Sequence, residues 1–185
     1  MIDYLFKLIV RHNLPTANHS YRVEKLAVGF AVKLGLSFQT IQLVSAAALL
    51  HDIGKIITSE KILNKPEKLT KSEFEMIKLH PRDGYDLIKR LDHNQQLESL
   101  AEAILFHHEK FNGTGYPCGK AGDAIPLVAR ILAITDVYEA ITSNRVYHKA
   151  VTQKEAKKII FEGKEIHFDP YLVDVFLANK YLEKL

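Results

Sequence analysis

Apolar residues recur at helical spacing along most of the chain, and the alternation that predicts strands is not convincing anywhere. From Ile2 to His12 the apolar positions are 2, 5, 6, 9 and 10, which places them on one helix face. Similar spacing predicts further helices over 19–34, 38–53, 70–80, 83–91, 97–108, 125–144, 153–161 and from 170 onward. The sequence therefore predicts an all-α fold of about seven to nine helices.

Glycine, proline and small polar residues mark the expected helix boundaries. Residues 14–16 should separate the first two helices, with Thr16 or Asn18 as the cap of the second. Gly54 is expected to end the third helix. Pro81 is expected to break or kink the chain at the end of the predicted helix 70–80. Two segments are predicted as loops: 58–69, with at most one helical turn, and the glycine-rich 111–123.

Length and composition fit one domain with one sizeable core. The chain has 185 residues, of which 47% are hydrophobic and 25% charged. We predict a single domain over 1–185, made of an N-terminal helix (1–13), a core (14–170) and a C-terminal helix (171–185). The longest apolar stretch, Val44 to Leu50, is too short to cross a bilayer, and the N-terminus lacks the features of a signal peptide.

The single cysteine and the mild charge exclude two classes of site. Cys118 has no partner for an internal disulfide, excludes zinc sites built from thiolates, and fits a reducing compartment, so we expect a cytoplasmic location. The net charge is +3 without a basic stripe, which argues against binding to long nucleic acid.

Histidines and aspartates at or near the ends of apolar helical patterns are the main chemical signal. His51 and Asp52 directly follow such a pattern, and polar side chains are costly to bury unless they are paired or bind metal. Nitrogen and oxygen ligands without sulfur favour iron, manganese or zinc, and seven ligands predict two ions that share Asp52. The candidate ligands are His19, His51, Asp52, His80, His107, His108 and Asp136. Neighbouring histidines can reach one ion only where a helix ends.

Each candidate also has a plainer explanation when it is taken alone. A lone His19 or His80 is more often a hydrogen-bonded histidine at a helix end, and Asp136 could pair with Arg130 or Arg145. Together, these explanations require seven costly polar groups to be buried for unrelated reasons. The joint pattern therefore favours metal binding.

The order of these residues resembles the HD superfamily of metal-dependent phosphohydrolases. The motif HDIGK (51–55) carries the histidine–aspartate pair, and the segment 107–150 is similar to the signature of the HD-GYP family, with GYP at 115–117. The resemblance covers nearly the whole chain and includes HPRDG (80–84) and FDP (168–170). It implies an HD-type helical bundle with a glycine-rich GYP loop.

The resemblance also implies a function and a set of site residues. The expected reaction is hydrolysis of cyclic di-GMP, a bacterial second messenger, to linear pGpG, to GMP or to both, by a hydroxide that bridges two divalent transition-metal ions. The resemblance thus implies that the cytoplasmic location is a bacterial one. Iron or manganese is expected ahead of zinc or nickel. One ion would be held by His19, His51, Asp52 and Asp136, and the other by Asp52, His80, His107 and His108. Asp52 and Lys55 would be catalytic, and Lys55, Arg145, Tyr147 and His148 would contact the substrate.

Three positions depart from the family pattern. Pro15 stands where members with three metals carry a glutamate, so we expect two metals. His148 stands where a basic residue is usual, which bears on substrate affinity. Glu139 replaces a common aspartate, a change that we expect to matter little.

The loop formed by Gly115, Tyr116 and Pro117 has two compatible interpretations. The glycines around it permit backbone angles that other residues avoid, or Tyr116 and Pro117 present a surface for substrate or for a diguanylate cyclase-type protein, as the resemblance implies. Arg22 and Glu109 are expected to form salt bridges that hold ligands. Two functional alternatives stay open: an HD phosphohydrolase for another nucleotide, and a weakly active module that acts mainly by protein contact.

Overall fold

The computed structural model describes residues 1–144 and 149–178, and most of them are helical. The helices are α1 (Ile2–His12), α2 (Leu14–Lys33), α3 (Phe38–Leu50), α4 (Glu60–Leu63), α5 (Lys71–Ile77), α6 (His80–Leu91), α7 (Glu98–Phe106), α8 (Leu127–Thr142), α9 (Gln153–Glu162) and α10 (Pro170–Leu177). Within the described ranges there are also two short 3-10 turns, 53–57 and 122–124, and two isolated β-bridges, but no strand. Since α4 is a single turn, nine described helices have seven residues or more, which confirms the all-α prediction. The division of the chain into 1–13, 14–170 and 171–185 stays a prediction.

Side-chain caps fix several helix starts where the sequence places them. Ser37, Thr70, Thr152 and Asp169 each accept hydrogen bonds from backbone N–H groups in the first turn of the helix that follows. The loop predicted between the third and fourth helices also contains one helical turn, α4.

The start of α2 differs from the prediction. The helix begins at Leu14, and its cap is Asn13, whose side chain accepts a hydrogen bond from the backbone of Thr16. Neither Thr16 nor Asn18 caps it. Pro15 lies within the first turn, where its missing N–H has no helical partner to lose, so proline here starts a helix instead of separating two.

Two other breaks lie earlier than predicted. Helix α3 ends at Leu50, and Gly54 lies inside the 3-10 turn that follows. A Cβ at Gly54 would lie 2.0 Å from the backbone oxygen of His80, so glycine here allows the turn to touch the start of α6. Pro81 lies in the first turn of α6, where proline is tolerated, and the break comes before His80.

The main hydrophobic core lies between α2, α3, α7 and α8. Helix α2 packs along α3 and α8, α6 packs on α7 and on the 53–57 turn, and α9 and α10 pack on α8. Fully buried side chains of this core include Phe30, Leu50, Ile104, Leu132 and Phe176. Because α3 and α7 both pack against α8, polar residues at their ends come together.

The segment Phe38–Ile57 is long and apolar enough to cross a membrane by length and composition alone. Core helices of globular proteins commonly meet the same criteria. Here Val44, Ala47 and Leu50 are buried in the core, and the buried Asp52 of this segment would be costly in hydrocarbon. These contacts identify the segment as a core helix of the bundle.

Candidate metal centre

Packing of the helices brings all seven candidate ligands to one place. His19 lies in the second turn of α2 and Asp136 within α8, while the other five lie at the boundaries of α3, α6 and α7. Helix α7 ends at Phe106, as the two neighbouring histidines after it require. Three overlapping groups hold their ligand atoms within 4.8 Å of one another: His19–His51–Asp136, His51–Asp52–His107 and His80–His107–His108.

Asp52 is placed between the other ligands, with one carboxylate oxygen toward each side. Its Oδ2 lies 3.6 Å from Nε2 of His51 and 4.0 Å from Nε2 of His19. Its Oδ1 lies 3.2 Å from Nε2 of His80. A carboxylate in this position is able to bridge two cations.

Three of the histidines are oriented by the same kind of backbone contact. The Nδ1 atoms of His51, His80 and His107 lie 2.8, 2.6 and 2.6 Å from the carbonyl oxygen three residues earlier. A carbonyl oxygen can only accept a hydrogen bond, so each Nδ1 carries the hydrogen. In its neutral form, each of these rings then presents the lone pair of Nε2 to the other ligands.

These Nε2 lone pairs face other nitrogen and oxygen atoms that also carry lone pairs. The Nε2 atoms of His80 and His107 are 3.2 Å apart. Burial lowers the pKa of His80 to about 3 and holds the pKa of His107 well below its usual range, so both rings are neutral near pH 7. Nε2 of His51 is buried, has no hydrogen-bond partner among residues 1–144 and 149–178, and faces oxygens of Asp52 and Asp136. Cations would turn these repulsive contacts into ligand bonds, so the residues present fit metal ions.

The carboxylates of the site are ionised. Burial raises the pKa of Asp52, but Lys55 and the histidines outweigh it and hold that pKa well below its usual range. For Asp136, His19 has the same effect. Burial lowers the pKa of His19, yet hydrogen bonds to Asp136 and Glu139 outweigh burial and raise it. The site thus combines anionic oxygens with imidazoles, a donor set typical of transition metals.

The chain matches the HD domain family over residues 3–172. It belongs to this family. It is 40% identical over 159 residues to the cyclic di-GMP phosphodiesterase response regulator RpfG of Xanthomonas campestris, an alignment that covers 86% of this chain and 42% of that protein. It is 45% identical over 142 residues to a cyclic di-GMP phosphodiesterase of Vibrio cholerae, covering 75% of this chain and 29% of that protein. The chain thus spans less than half the length of these two relatives.

A solved structure has the same HD fold. The HDG"Y"P protein Bd1817 of Bdellovibrio bacteriovorus superimposes with a TM-score of 0.70 and 22% identity, covering 87% of this chain and 51% of that chain. At this identity the likeness concerns the fold alone. The family resemblance and the HD-type helical bundle predicted from the sequence are confirmed.

One edge of this HD domain holds His19 through a buried carboxylate. Nδ1 of His19 donates a hydrogen bond to Glu139, which also accepts from Arg22 and from the hydroxyl of Ser143. The structure therefore contains the expected Arg22 salt bridge. The structure also gives Glu139 a role that the sequence analysis did not predict, because this carboxylate orients His19. Its position three residues after Asp136, on the same face of α8, could have indicated this role.

Lys55 lies at the edge of the HD site. Its Nζ is 2.7 Å from Oδ2 of Asp52, and its side chain is 21% exposed. The proposed pairing of Asp136 with Arg130 is wrong, because Arg130 binds two other aspartates, Asp123 and Asp169.

Three predicted substrate contacts cannot be placed. Arg145, Tyr147 and His148 lie outside the described residues, and so does the alternative pairing of Arg145 with Asp136. Their predicted contacts with substrate stay predictions.

Glycines shape the loop that follows α7 in this HD domain. Gly113, Gly119 and Gly122 have φ angles of 81°, 68° and 54°, which confirms that the loop uses backbone angles that favour glycine. Glycine is required at position 115 for a steric reason instead. A Cβ there would lie 2.3 Å from the backbone nitrogen of Lys110 and 2.5 Å from Cα of Glu109, so glycine lets the loop lie on this backbone.

Tyr116 points inward and Pro117 outward. The ring of Tyr116 stacks on the ring of His108, with centroids 4.9 Å apart and planes at 26°, whereas Pro117 is exposed. Glu109 forms no salt bridge among the described residues, unlike the expectation. Instead its buried carboxylate accepts a hydrogen bond of 2.7 Å from the backbone N–H of Cys118, which fixes the end of the GYP triplet.

Proposed function

We propose that this chain is the catalytic HD domain of a metal-dependent phosphodiesterase that hydrolyses cyclic di-GMP to linear pGpG, to GMP or to both. Two relatives whose names state this substrate are 40% and 45% identical to it. The observation that carries the proposal is the pair of facing Nε2 atoms of His80 and His107, beside an Asp52 carboxylate that also faces a second set of ligands. Two cations held in this way suit attack on a phosphodiester.

We further propose two ions, held by the two ligand sets that share Asp52. The first set is His19, His51, Asp52 and Asp136, and the second is Asp52, His80, His107 and His108. Pro15, in the first turn of α2, offers no side-chain ligand for a third ion. Iron or manganese suits these donors best, with zinc or nickel as other candidates. When bound, such a pair lowers the pKa of a water that it shares and neutralises charge on phosphate oxygens.

The chain itself supplies a cation and two fixed anions. The ammonium of Lys55 lies beside Asp52 and is partly exposed, so it is placed to contact a phosphate that enters the site. As a point charge, it would stabilise negative charge that develops on the leaving 3′-oxygen. The lowered pKa values of Asp52 and Asp136 keep both carboxylates anionic, so they hold cations and do not act as proton donors.

The direct test is hydrolysis by the purified chain, prepared without oxygen and loaded with Fe(II) or Mn(II). Cyclic di-GMP is incubated with the protein, and the products are separated by chromatography, with cyclic GMP-AMP and a mononucleotide as competing substrates. We expect pGpG or GMP, lost when the metal is chelated. No product from cyclic di-GMP at full metal occupancy would overturn the proposal. Faster hydrolysis of a competing substrate would favour an HD phosphohydrolase for another nucleotide.

A protein partner is the finer part of this proposal. The exposure of Pro117 and Cys118 supports contact with a diguanylate cyclase-type protein at the loop, while Tyr116 points toward His108. Binding of a purified cyclase domain, compared between the parent and Pro117→Asp, tests this contact. Equal binding by both would exclude the loop as the interface. The bacterial cytoplasmic location stays a prediction.

A further inference from the structure

His108 is oriented differently from the other four histidines of the site. His51, His80 and His107 each bind a backbone carbonyl through Nδ1, and His19 binds Glu139. Within the described residues, His108 makes no hydrogen bond through its ring. Its ring stacks on Tyr116, with centroids 4.9 Å apart and planes at 26°.

The backbone fixes Tyr116 against His108. The N–H of Tyr116 donates to the carbonyl oxygen of His108 at 3.2 Å, and the N–H of Cys118 donates to Glu109 at 2.7 Å. Gly115 lies so close to the backbone of 109–110 that no side chain fits between them. The loop is therefore held against residues 109–110 on both sides of Tyr116, through Gly115 and Cys118. These contacts keep the tyrosine ring next to the ring of His108.

A third group touches the same tyrosine ring. The Nζ atom of Lys78 lies 5.3 Å from the centroid of Tyr116, within the range of a cation–π contact. Lys78 precedes His80 by two residues, so the tyrosine ring contacts the segments that carry two of the ligands.

We propose that Tyr116 is the positioning residue of His108, and that ring stacking here replaces the hydrogen bond that orients each of the other four histidines. The proposal rests on the metal-binding function proposed above. A stacked ring restricts rotation of the imidazole about its bond to Cβ, so the lone pair keeps its direction toward the other ligands. Among the described residues, Tyr116 makes its contacts through its ring and its backbone, so the proposal assigns the positioning role to the ring and not to the hydroxyl.

Three variants of Tyr116 separate the ring from the hydroxyl. Tyr116→Phe keeps the ring, whereas Tyr116→Leu and Tyr116→Met replace it with apolar side chains that cannot stack. Tyr171→Leu, at an exposed tyrosine of α10, is the control for loss of a tyrosine ring. Thermal unfolding of each metal-free variant shows whether it is folded.

Metal titration is the first measurement. Loss of a partner that orients a ligand commonly weakens metal binding by about 10–100-fold. We expect Tyr116→Leu and Tyr116→Met to bind one of two Mn(II) equivalents at least about 10-fold more weakly, with the other equivalent unchanged, and Tyr116→Phe and Tyr171→Leu to match the parent. Equal affinities in all variants would overturn the proposal, and so would an equal loss in Tyr116→Phe.

Histidine side-chain NMR of the metal-free protein distinguishes this proposal from the proposed function. The ring nitrogen signals of His108 should change in Tyr116→Leu and Tyr116→Met, stay unchanged in Tyr116→Phe, and leave those of His51 unaffected. If His108 responds in this way but the parent binds fewer than two ions, the proposed dinuclear function fails and the positioning role stands. If the parent binds two ions but the signals of His108 do not change, the positioning role fails.

Discussion

The two ligand groups of this HD domain share Asp52 but are built in different ways. In the carboxylate group, which consists of His19, His51 and Asp136, an anion lies among the donors and a second buried carboxylate, Glu139, holds His19. In the histidine group, which consists of His80, His107 and His108, all donors are imidazoles, and the pKa of each is lowered, mainly by burial. One group is rich in charge, and the other in neutral lone pairs.

This difference predicts how each group depends on its surroundings. Attraction between a carboxylate and a cation falls off slowly with distance, so the carboxylate group should tolerate small displacements. A neutral nitrogen binds a metal only along its lone pair, so the histidine group depends on ring orientation, which backbone carbonyls and Tyr116 provide. Charge changes should therefore affect the first group most, and changes of packing the second.

The largest effect is expected where the groups meet. Asp52→Asn removes the anion that faces both groups, so both should lose metal, and turnover should fall by more than the about 100-fold that loss of an outer partner costs. Asp174→Asn, at an exposed aspartate of α10 that pairs with Lys164, is the matched control. Elemental analysis and product chromatography measure both effects, with circular dichroism as the test of the fold. Near-parental turnover at full metal occupancy would show that Asp52 is not the bridge.

A change of charge at the carboxylate group should leave the other group intact. Glu139→Gln keeps the shape of the side chain but removes the anion beside His19, so one metal equivalent should bind about 10–100-fold more weakly. Glu162→Gln, on the exposed end of α9, is the control. Metal titration should show the loss in the equivalent that Tyr116→Leu does not affect. Equal weakening of both equivalents would mean that the two groups do not act separately.

A packing change at Gly54 should destabilise the fold beside the histidine group, because His80 of that group starts α6. A Cβ in Gly54→Ala would lie 2.0 Å from the backbone oxygen of His80, so the 53–57 turn and the start of α6 must separate. Overpacking of this kind costs about 1–3 kcal/mol, which lowers Tm by roughly 2–4 °C per kcal/mol in a chain of this size. Gly35→Ala, where space is open but φ is +68°, tests backbone strain alone. A Tm for Gly54→Ala at or above that of Gly35→Ala would contradict this role.

Much of the fold and of the candidate site could be predicted because the signals are local. Apolar spacing defines α1, and polar caps such as Ser37 and Thr152 define the starts of later helices. The ligands lie mostly at helix ends, where a polar residue interrupts an apolar pattern, and packing of the helices brings those ends together.

The remaining features depend on contacts between distant parts of the chain. Glu139 holds His19 across 120 positions, and no local pattern reports such a pair. Gly54 looks like a helix terminator in sequence, but its requirement comes from the backbone of His80. Tyr116 lies in a loop whose glycines explain its bends, whereas its contact with His108 appears only when the loop folds back.

The smallest expected effect is the pH dependence of the stability of the metal-free protein. Histidines of the two groups should change this stability in opposite directions as pH falls. Burial lowers the pKa of His80 to about 3 and that of His108 to about 4, against an ordinary value of 6.5. Between these values the unfolded chain binds protons that the folded chain does not, so stability falls as pH drops from about 6.5 to about 4. The pKa of His19 is raised, so its contribution is present below pH 6.5 and is lost as pH rises through its folded pKa.

Urea unfolding of the metal-free protein at pH 7, 6 and 5 measures this slope. Each ring that stays neutral only in the folded state contributes up to about 1.4 kcal/mol per pH unit. His108→Gln should therefore flatten the slope by about one proton. Asp52 and Asp136 do not confuse the result, because their lowered pKa values place their titration below this range. An unchanged slope in His108→Gln would mean that this ring takes up its proton in the folded protein. His108 would then not be a neutral donor, and the proposed difference between the carboxylate group and the histidine group would not hold for this residue.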